Sequence, residues 1–102
     1  MKRDVSPRAR VLSGSLGWVV YVLRCRTGHL YTGCTNDLER RVREHNSGTG
    51  SRFTRSRRPV AVVYKEELPN RSEALRRERA IKGMRRREKL LLVGHAAFAA
   101  TA

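Results

Sequence analysis

Residues 18–45 read WVVYVLRC-RTGH-LYTGCT-NDLERRVREH, and the rest of the chain is organised around them. The run Trp18–Cys25 is rich in β-branched residues and almost continuously apolar, a pattern typical of a central strand covered on both faces. Arg26–His29 contains turn residues, and Leu30–Thr35 returns as a second strand. The pattern therefore predicts a β-hairpin with one tyrosine on each strand.

The length of the hairpin loop decides whether Tyr21 and Tyr31 share a face, because side chains alternate along a strand. A two-residue loop at Thr27-Gly28 puts the tyrosines on opposite faces. A three-residue loop centred on Gly28, where glycine adopts a positive φ, puts them on the same face. If the tyrosines act together, we therefore expect an odd-numbered loop or a bulge.

A helix is predicted directly after the hairpin. Asn36 can cap it, with Glu39 completing a capping box and Asp37 placed in the positive first turn. The helix is expected to run to about Asn46 and to stop before Gly48. At about 100° per residue, one stripe of this helix is formed by Leu38, Val42 and His45. Arg41 lies at the margin of the stripe, and the other charged residues point elsewhere.

The second half of the chain begins with a flexible, cationic loop at Ser47–Arg58. The ring of Phe53 in this loop either offers a surface to a nucleic-acid base or packs into the core. A third strand follows at Val60–Tyr64 and ends in Lys65–Glu67.

Two more helices complete the order β-β-α-β-α-α. Asn70 caps the first, which runs to about Lys82 and ends at Gly83. The second covers residues 85–93 and is expected to stop at Gly94. We predict one domain at residues 18–94, between a flexible basic arm at 1–17 and a tail at 95–102 that extends the last helix or frays.

The net charge is +14 in 102 residues, from 23 Lys and Arg against 9 Asp and Glu. A polyanion such as nucleic acid is the expected partner, because each neutralised phosphate releases counterions. A solvated basic surface or a membrane-attracted one is the alternative. Basic side chains on both long helices and in the loop are the candidate nucleic-acid contacts: Arg40, Arg43, Arg52, Arg55, Arg57, Arg58 and Lys82.

Several classes of protein are excluded by composition. A hydrophobic content of 39% excludes wholesale disorder. No apolar run approaches the ~20 residues of a membrane span, so a soluble, cytoplasmic protein is expected. Two cysteines, Cys25 and Cys34, supply neither a disulfide framework nor a four-ligand zinc site.

Glu78 is the candidate metal ligand. It lies in the middle of an arc formed at helical spacing by Ala74, Leu75, Ile81 and Lys82. A carboxylate among apolar neighbours is costly unless a positive group pairs with it. One interpretation is a buried salt bridge with an arginine. The other is a ligand of a single Mg²⁺ or Mn²⁺ ion, which accepts one carboxylate together with waters and phosphate oxygens.

Arg41 and His45 stand one turn apart and can face the same space as the hairpin tyrosines. The guanidinium can hold a phosphate and offset transition-state charge, or it pairs with Glu78 or lies at the surface. His45 is either a packed or exposed ring or a functional group. Tyr21 and Tyr31 are either strand aromatics or phenols that donate to phosphate, or relay a proton from water if cations lower their pKa from about 10.

The motifs of the chain are Val19-Val20-Tyr21, Tyr31-Thr32-Gly33 and Asn36–Arg41 followed by His45, with further matching segments at 44–48, 54–59 and 74–82. In this pattern the chain resembles the GIY-YIG nuclease superfamily, in particular its small stand-alone bacterial members. The resemblance covers roughly residues 18–93. It implies an α+β fold in which a small three-stranded antiparallel sheet is flanked by helices.

The resemblance also implies an endonuclease that cuts DNA with one divalent metal, Mg²⁺ or Mn²⁺. Tyr21 and Tyr31 match the motif tyrosines, Arg41 the helix arginine, His45 the next helix position and Glu78 the metal-binding glutamate. A water would attack in line while a tyrosine, Tyr21 by preference, helps to deprotonate it. This chain departs from the motif in reading Val-Val-Tyr instead of Gly-Ile-Tyr, and in having Cys34 where repair members often carry lysine.

The function predicted from the sequence is structure-selective or weakly sequence-selective DNA cleavage in repair or recombination. Branched or single-stranded DNA is the expected partner, and the protein would be nucleoid-associated when bound to it. No membrane and no small-molecule cofactor are expected. A non-catalytic nucleic-acid-binding module on the same scaffold and a basic ribosome-associated protein remain alternatives.

Overall fold

The computed structural model describes residues 17–101, with side chains through residue 94. The predicted basic arm therefore lies outside the described residues except for Gly17. The elements are β1 Trp18–Cys25, β2 Leu30–Thr35, α1 Leu38–Ser47, α2 Arg52–Arg55, β3 Val60–Leu68, α3 Arg71–Lys82 and α4 Arg86–Thr101.

The sheet has the order β2-β1-β3 with antiparallel pairing on both sides of β1. The predicted α+β fold and three-stranded antiparallel sheet are confirmed, and β1 is the central strand. Its apolar side chains are buried on both faces, as an internal strand requires. Strand β2 is an edge strand, and within the described residues it pairs with β1 alone.

The hairpin loop has three residues, Arg26–Gly28. Cys25 N–H donates to His29 O at 2.9 Å, and Gly28 N–H donates to Cys25 O at 2.8 Å. Gly28 has φ 90° as the last loop residue, a left-handed conformation that suits glycine. The predicted odd loop is confirmed, but its centre is Thr27 rather than Gly28.

This loop fixes the register of the two tyrosines. Tyr21 lies opposite Gly33, and Leu23 lies opposite Tyr31. The two tyrosines are diagonal neighbours on one face of the sheet, because residues two apart on a strand share a face. The register thus satisfies the condition for the two phenols to act together.

Each face of the sheet carries its own core. On one face α1 packs its stripe residues Leu38 and Val42 against β1 and β3. On the other face the buried residues of α3 and α4, Ala74, Ile81 and Val93, pack against Val20 and Val22 of β1. Within residues 17–101, no helix is both long enough and apolar enough to cross a membrane.

Two predicted helix boundaries are wrong. The cap of α1 is Asp37, whose Oδ1 accepts from Arg40 N–H at 3.1 Å, and not Asn36. Thr35 Oγ1 accepts from Asp37 N–H at 3.1 Å, so the chain enters the helix one residue later than expected. Helix α4 continues past Gly94, because the Leu- and Ala-rich flanks favour helix by more than one glycine costs.

The predicted loop at 47–58 contains the short helix α2. Ser51 caps it, its hydroxyl accepting from Thr54 N–H at 3.1 Å. Thr54 is fully buried although it sits among exposed polar residues. By contrast, the Asn70 cap of α3 is as predicted, with Oδ1 accepting from Glu73 N–H at 2.9 Å.

Candidate active site

Tyr21 projects from β1 toward α1 and is only 1% exposed. Its hydroxyl lies over Gly33 on β2, so closely that a Cβ at position 33 would be 2.5 Å from the Tyr21 oxygen. Real Cβ atoms do not approach an oxygen so closely. Position 33 therefore has to be glycine for the phenol to occupy this place.

His45 joins Tyr21 to the short helix α2. Its Nε2 lies 3.1 Å from the Tyr21 hydroxyl, and its Nδ1 lies 2.8 Å from Thr54 Oγ1. The ring is fully buried. Burial, reinforced by the nearby charge of Arg41, holds the pKa of His45 below its ordinary value. The imidazole is thus neutral at pH 7 and has one nitrogen able to accept a proton.

Gly50 closes the site on the His45 side. A Cβ at position 50 would lie 2.6 Å from His45 Nδ1 and 2.8 Å from its Cα. Gly50 and Thr54 contact His45 but were not among the candidate site residues predicted from the sequence. The Ser51-x-x-Thr54 spacing could have indicated the cap, but nothing local indicates that Thr54 would meet a histidine.

The Tyr21 phenol is uncharged in this structure. Burial raises its pKa to about 12, although the nearby Arg41 guanidinium opposes the rise. A tyrosine that relays a proton was expected to have its pKa lowered by cations. Arg41 alone does not achieve this for Tyr21, because desolvation raises the pKa by more than Arg41 lowers it.

Arg41 lies beside the Tyr21 hydroxyl but is engaged elsewhere as well. Its Nη1 is 2.8 Å from Glu44 Oε1, and its Nη2 donates to Gly50 O at 3.2 Å. Arg41 pairs with Glu44 on its own helix and not with Glu78. That pairing raises the pKa of Arg41 and lowers the pKa of Glu44.

Tyr31 is half-buried and is held by two rings. The edge of His45 meets it at a centroid distance of 5.0 Å, and Phe53 stacks on it at 5.9 Å with an interplanar angle of 26°. Phe53 is 36% exposed and carries the Arg57 guanidinium 4.0 Å above its ring. The Phe53 ring therefore packs on Tyr31 and also keeps an exposed edge.

Glu78 lies on the α3 face of the sheet, beside Cys34 of the edge strand β2, whereas Tyr21 and Tyr31 lie on the α1 face. Its side chain is 16% exposed, and Oε2 lies 2.7 Å from Lys82 Nζ. The salt bridge is with a lysine one turn along the helix, not with an arginine. Burial and a hydrogen bond to Glu78 raise the pKa of the Cys34 thiol to about 11. The charge of Lys82 also lies near enough to Tyr31 to interact with it.

A hard divalent cation fits Glu78. The carboxylate already binds a cation in this structure, the Lys82 ammonium, at its open end. No three His, Cys, Asp or Glu side chains gather into a metal cage anywhere in the described part of the chain. Mg²⁺ needs no such cage, because one carboxylate with waters and substrate phosphate oxygens satisfies it.

Most of the candidate nucleic-acid contacts are exposed, and several of them also contact other groups of the protein. Arg43, Arg52 and Arg55 are exposed. Arg40 pairs with Asp37 and Glu44, while Arg58 donates to Arg55 O at 2.8 Å and to Asn46 O. Arg57 stacks on Phe53, and Lys82 pairs with Glu78. Their role in binding stays a prediction.

A groove of about 800 Å³ lies between the start of α1 and β3, away from this cluster. Its walls include Val19, Leu38, Val42 and Val62. None of the five candidate catalytic or metal-binding side chains lines it. The candidate site is therefore the Tyr21–His45 cluster, which holds groups able to transfer protons and bind phosphate.

Comparison with known proteins agrees with the motifs. Residues 17–90 match the model of the GIY-YIG catalytic domain. The chain is similar to a UPF0213 protein of Staphylococcus saprophyticus, with 46% identity over 74 residues, which is 72% of this chain and 90% of that protein. It is 52% identical over 77 residues to a UPF0213 protein of Desulfotalea psychrophila, covering 74% of this chain and 70% of the relative.

A solved structure shows the same likeness. The solution NMR structure of a UPF0213 protein of Bacillus halodurans is 42% identical and superposes with a TM-score of 0.50. The match covers 76% of this chain and 82% of that one.

Proposed function

The chain belongs to the GIY-YIG family, whose catalytic domain is a DNA nuclease domain, and from this premise we propose that it is a metal-dependent endonuclease that hydrolyses DNA phosphodiester bonds. The proposal extends to structure-selective or weakly sequence-selective cleavage, with Mg²⁺ or Mn²⁺, in repair or recombination in the cytoplasm. The observation that carries it is the buried hydrogen-bond chain from Tyr21 through His45 to Thr54, with Arg41 beside the phenol.

The hydrogen-bond chain supports a proton path. We assign the Nδ1–H tautomer to His45, donating to Thr54 Oγ1, since the Thr54 hydroxyl can itself donate to Ser51 Oγ at 2.9 Å. His45 Nε2 then accepts from the Tyr21 hydroxyl. A phenol with a pKa of about 12 is a poor base by itself. When Tyr21 takes a proton from the attacking water, it therefore passes its own proton to His45 Nε2.

The remaining groups serve the phosphate. The hydroxide forms a bond to phosphorus as the bond to the leaving oxygen breaks, and that oxygen takes a proton from solvent. Arg41 would hold the non-bridging oxygens, exchanging Glu44 for phosphate as its partner. Glu78 would hold the divalent cation, which supplies charge stabilisation to the leaving oxygen when bound. Exposed Arg43, Arg52 and Arg55 would contact neighbouring phosphates.

A non-catalytic nucleic-acid-binding module is the second candidate. The pairing of Glu78 with Lys82 favours it, because that pair leaves the carboxylate neutralised. Charge alone would then supply the affinity for DNA, and binding would weaken steeply with salt under both functions.

Cleavage assays on branched, single-stranded and nicked DNA separate the two functions. We expect the wild-type chain to cut at least one of these substrates in Mg²⁺ or Mn²⁺. Glu78→Gln should lower the rate by about a hundredfold or more, since it removes the metal-binding charge. Glu73→Gln is the matched control on the same helix and should retain the activity, because the Glu73 side chain is 43% exposed and its ion pair in the described part of the chain is with Arg76. Binding without cleavage in either metal would sink the enzyme assignment.

A further inference from the structure

Glu78 and Lys82 form an ion pair in which the carboxylate is far more buried than the ammonium group. The Glu78 side chain is 16% exposed, whereas that of Lys82 is 53% exposed. The two residues are one turn apart on α3, the spacing at which side chains of a helix meet. The ammonium therefore covers the open end of a carboxylate that the protein otherwise shields.

A divalent cation and this ammonium compete for the same carboxylate. Mg²⁺ binds carboxylate oxygens at about 2.1 Å. With Lys82 Nζ at 2.7 Å from Oε2, a metal on either oxygen would lie within a few ångströms of a like charge. Water screens this repulsion poorly where the carboxylate is shielded. Lys82 thus has to leave before metal can bind well.

A DNA phosphate is the partner that a freed Lys82 would take. Its long stem is exposed and can rotate, and its charge already interacts with Tyr31. A DNA phosphate held near Tyr31 would be an anion close to this side chain. One phosphate oxygen could thus replace Glu78 as the partner of the ammonium.

We propose that Lys82 occupies the cation position on Glu78 in the DNA-free protein and moves to a DNA phosphate when the carboxylate is given to a divalent metal. The inference rests on the proposed function of Glu78 as the metal ligand. It makes Lys82 a positioning residue that withholds the metal site until substrate is present.

The metal part is tested by measuring Mn²⁺ affinity of the DNA-free full chain by electron paramagnetic resonance. Lys82→Gln should bind Mn²⁺ roughly two- to fivefold more tightly than wild type, the factor expected from losing an ion pair of this exposure. Arg79→Gln is the matched control, since it removes one exposed positive charge from the same helix. If Lys82→Gln and Arg79→Gln bind Mn²⁺ with equal affinity, long-range charge alone explains the change in affinity and the inference is overturned.

Glu78→Gln separates failure of this inference from failure of the function. If Glu78→Gln loses Mn²⁺ binding while Lys82→Gln behaves as Arg79→Gln, only the inference fails. If Glu78→Gln binds Mn²⁺ as wild type does, the metal assignment of Glu78 and the inference are both overturned.

The DNA part is tested without metal, by the salt dependence of duplex binding in fluorescence anisotropy. Glu78→Gln frees Lys82, so its plot of log affinity against log salt should be steeper than wild type by about 0.9, the value of one phosphate contact. The double variant Glu78→Gln/Lys82→Gln should return to the wild-type slope. An unchanged slope in Glu78→Gln would show that Lys82 does not move to phosphate and would overturn the transfer.

Discussion

Gly33 and the Tyr21 hydroxyl are in such close contact that no side chain fits between them. We expect Gly33→Ala to push the phenol away from His45, to destabilise the fold by about 1–3 kcal/mol through overpacking, and to abolish DNA cleavage. Thermal unfolding and the cleavage assay measure both effects. Gly94→Ala is the matched control, because nothing lies within 4 Å of its Cβ and alanine favours the helix. An active, equally stable Gly33→Ala would contradict the observed position of Tyr21.

His45 gives the stability of the protein a defined pH dependence. Burial lowers the pKa of the folded ring, so the unfolded chain binds the proton at higher pH than the folded chain does. The contribution of neutral His45 is fully present above about pH 6.5, the ordinary value, and is lost as pH falls toward the folded pKa. Chemical denaturation between pH 5 and 8 should show this loss in wild type and His29→Gln, but not in His45→Gln. The same slope in His45→Gln would contradict a buried neutral ring.

The start of α1 is the point at which the chain turns from the edge strand β2 into the helix that carries Arg41 and His45. Asp37 caps α1, whereas the Asn36 side chain accepts from Arg40 at 3.5 Å and caps no amide of the described helix. We expect Asp37→Ala to lower the free energy of unfolding by about 1 kcal/mol, because it leaves an amide of the first turn unsatisfied.

Asn36→Ala is the control for that cap and should change stability by less than about 0.5 kcal/mol. Urea denaturation compares the two variants. A larger loss of unfolding free energy in Asn36→Ala than in Asp37→Ala would show that Asn36 is the cap, as expected from the sequence alone. Because α1 carries both Arg41 and His45, fraying at Asp37 should also reduce cleavage.

At the scale of the whole molecule, a net charge of +14 makes binding to DNA dependent on salt. Arg52 and Arg55 are exposed on α2, next to the tyrosine site. The double variant Arg52→Gln/Arg55→Gln should reduce the salt slope of duplex binding by up to about 1.8, two phosphate contacts of about 0.9 each.

Arg76→Gln/Arg79→Gln removes the same charge from α3, outside the predicted contacts. Fluorescence anisotropy at several salt concentrations should show a nearly unchanged slope for this control. Equal reductions in both double variants would mean that DNA binding follows total charge and not the α2 surface.

The sequence alone determined the three strands, the three longer helices, their order and the family, and it singled out five polar positions. It could do so because strand alternation, helical periodicity and most turn signals are local properties of the chain. The Asn70 cap and the odd number of residues in the hairpin loop could be predicted for the same reason. The α1 cap was misplaced by one residue because two adjacent residues, Asn36 and Asp37, are both good caps.

Only the tertiary structure decided which of those positions meet. Tyr21 and His45 are 24 residues apart, and their contact depends on the hairpin register and on where α1 crosses the sheet. Thr54 joins them through a helix of four residues whose sequence resembles a loop. The partner of Glu78 was Lys82, although many arginines could have paired with it. These choices are set by packing and burial across the chain, which no local pattern of residues contains.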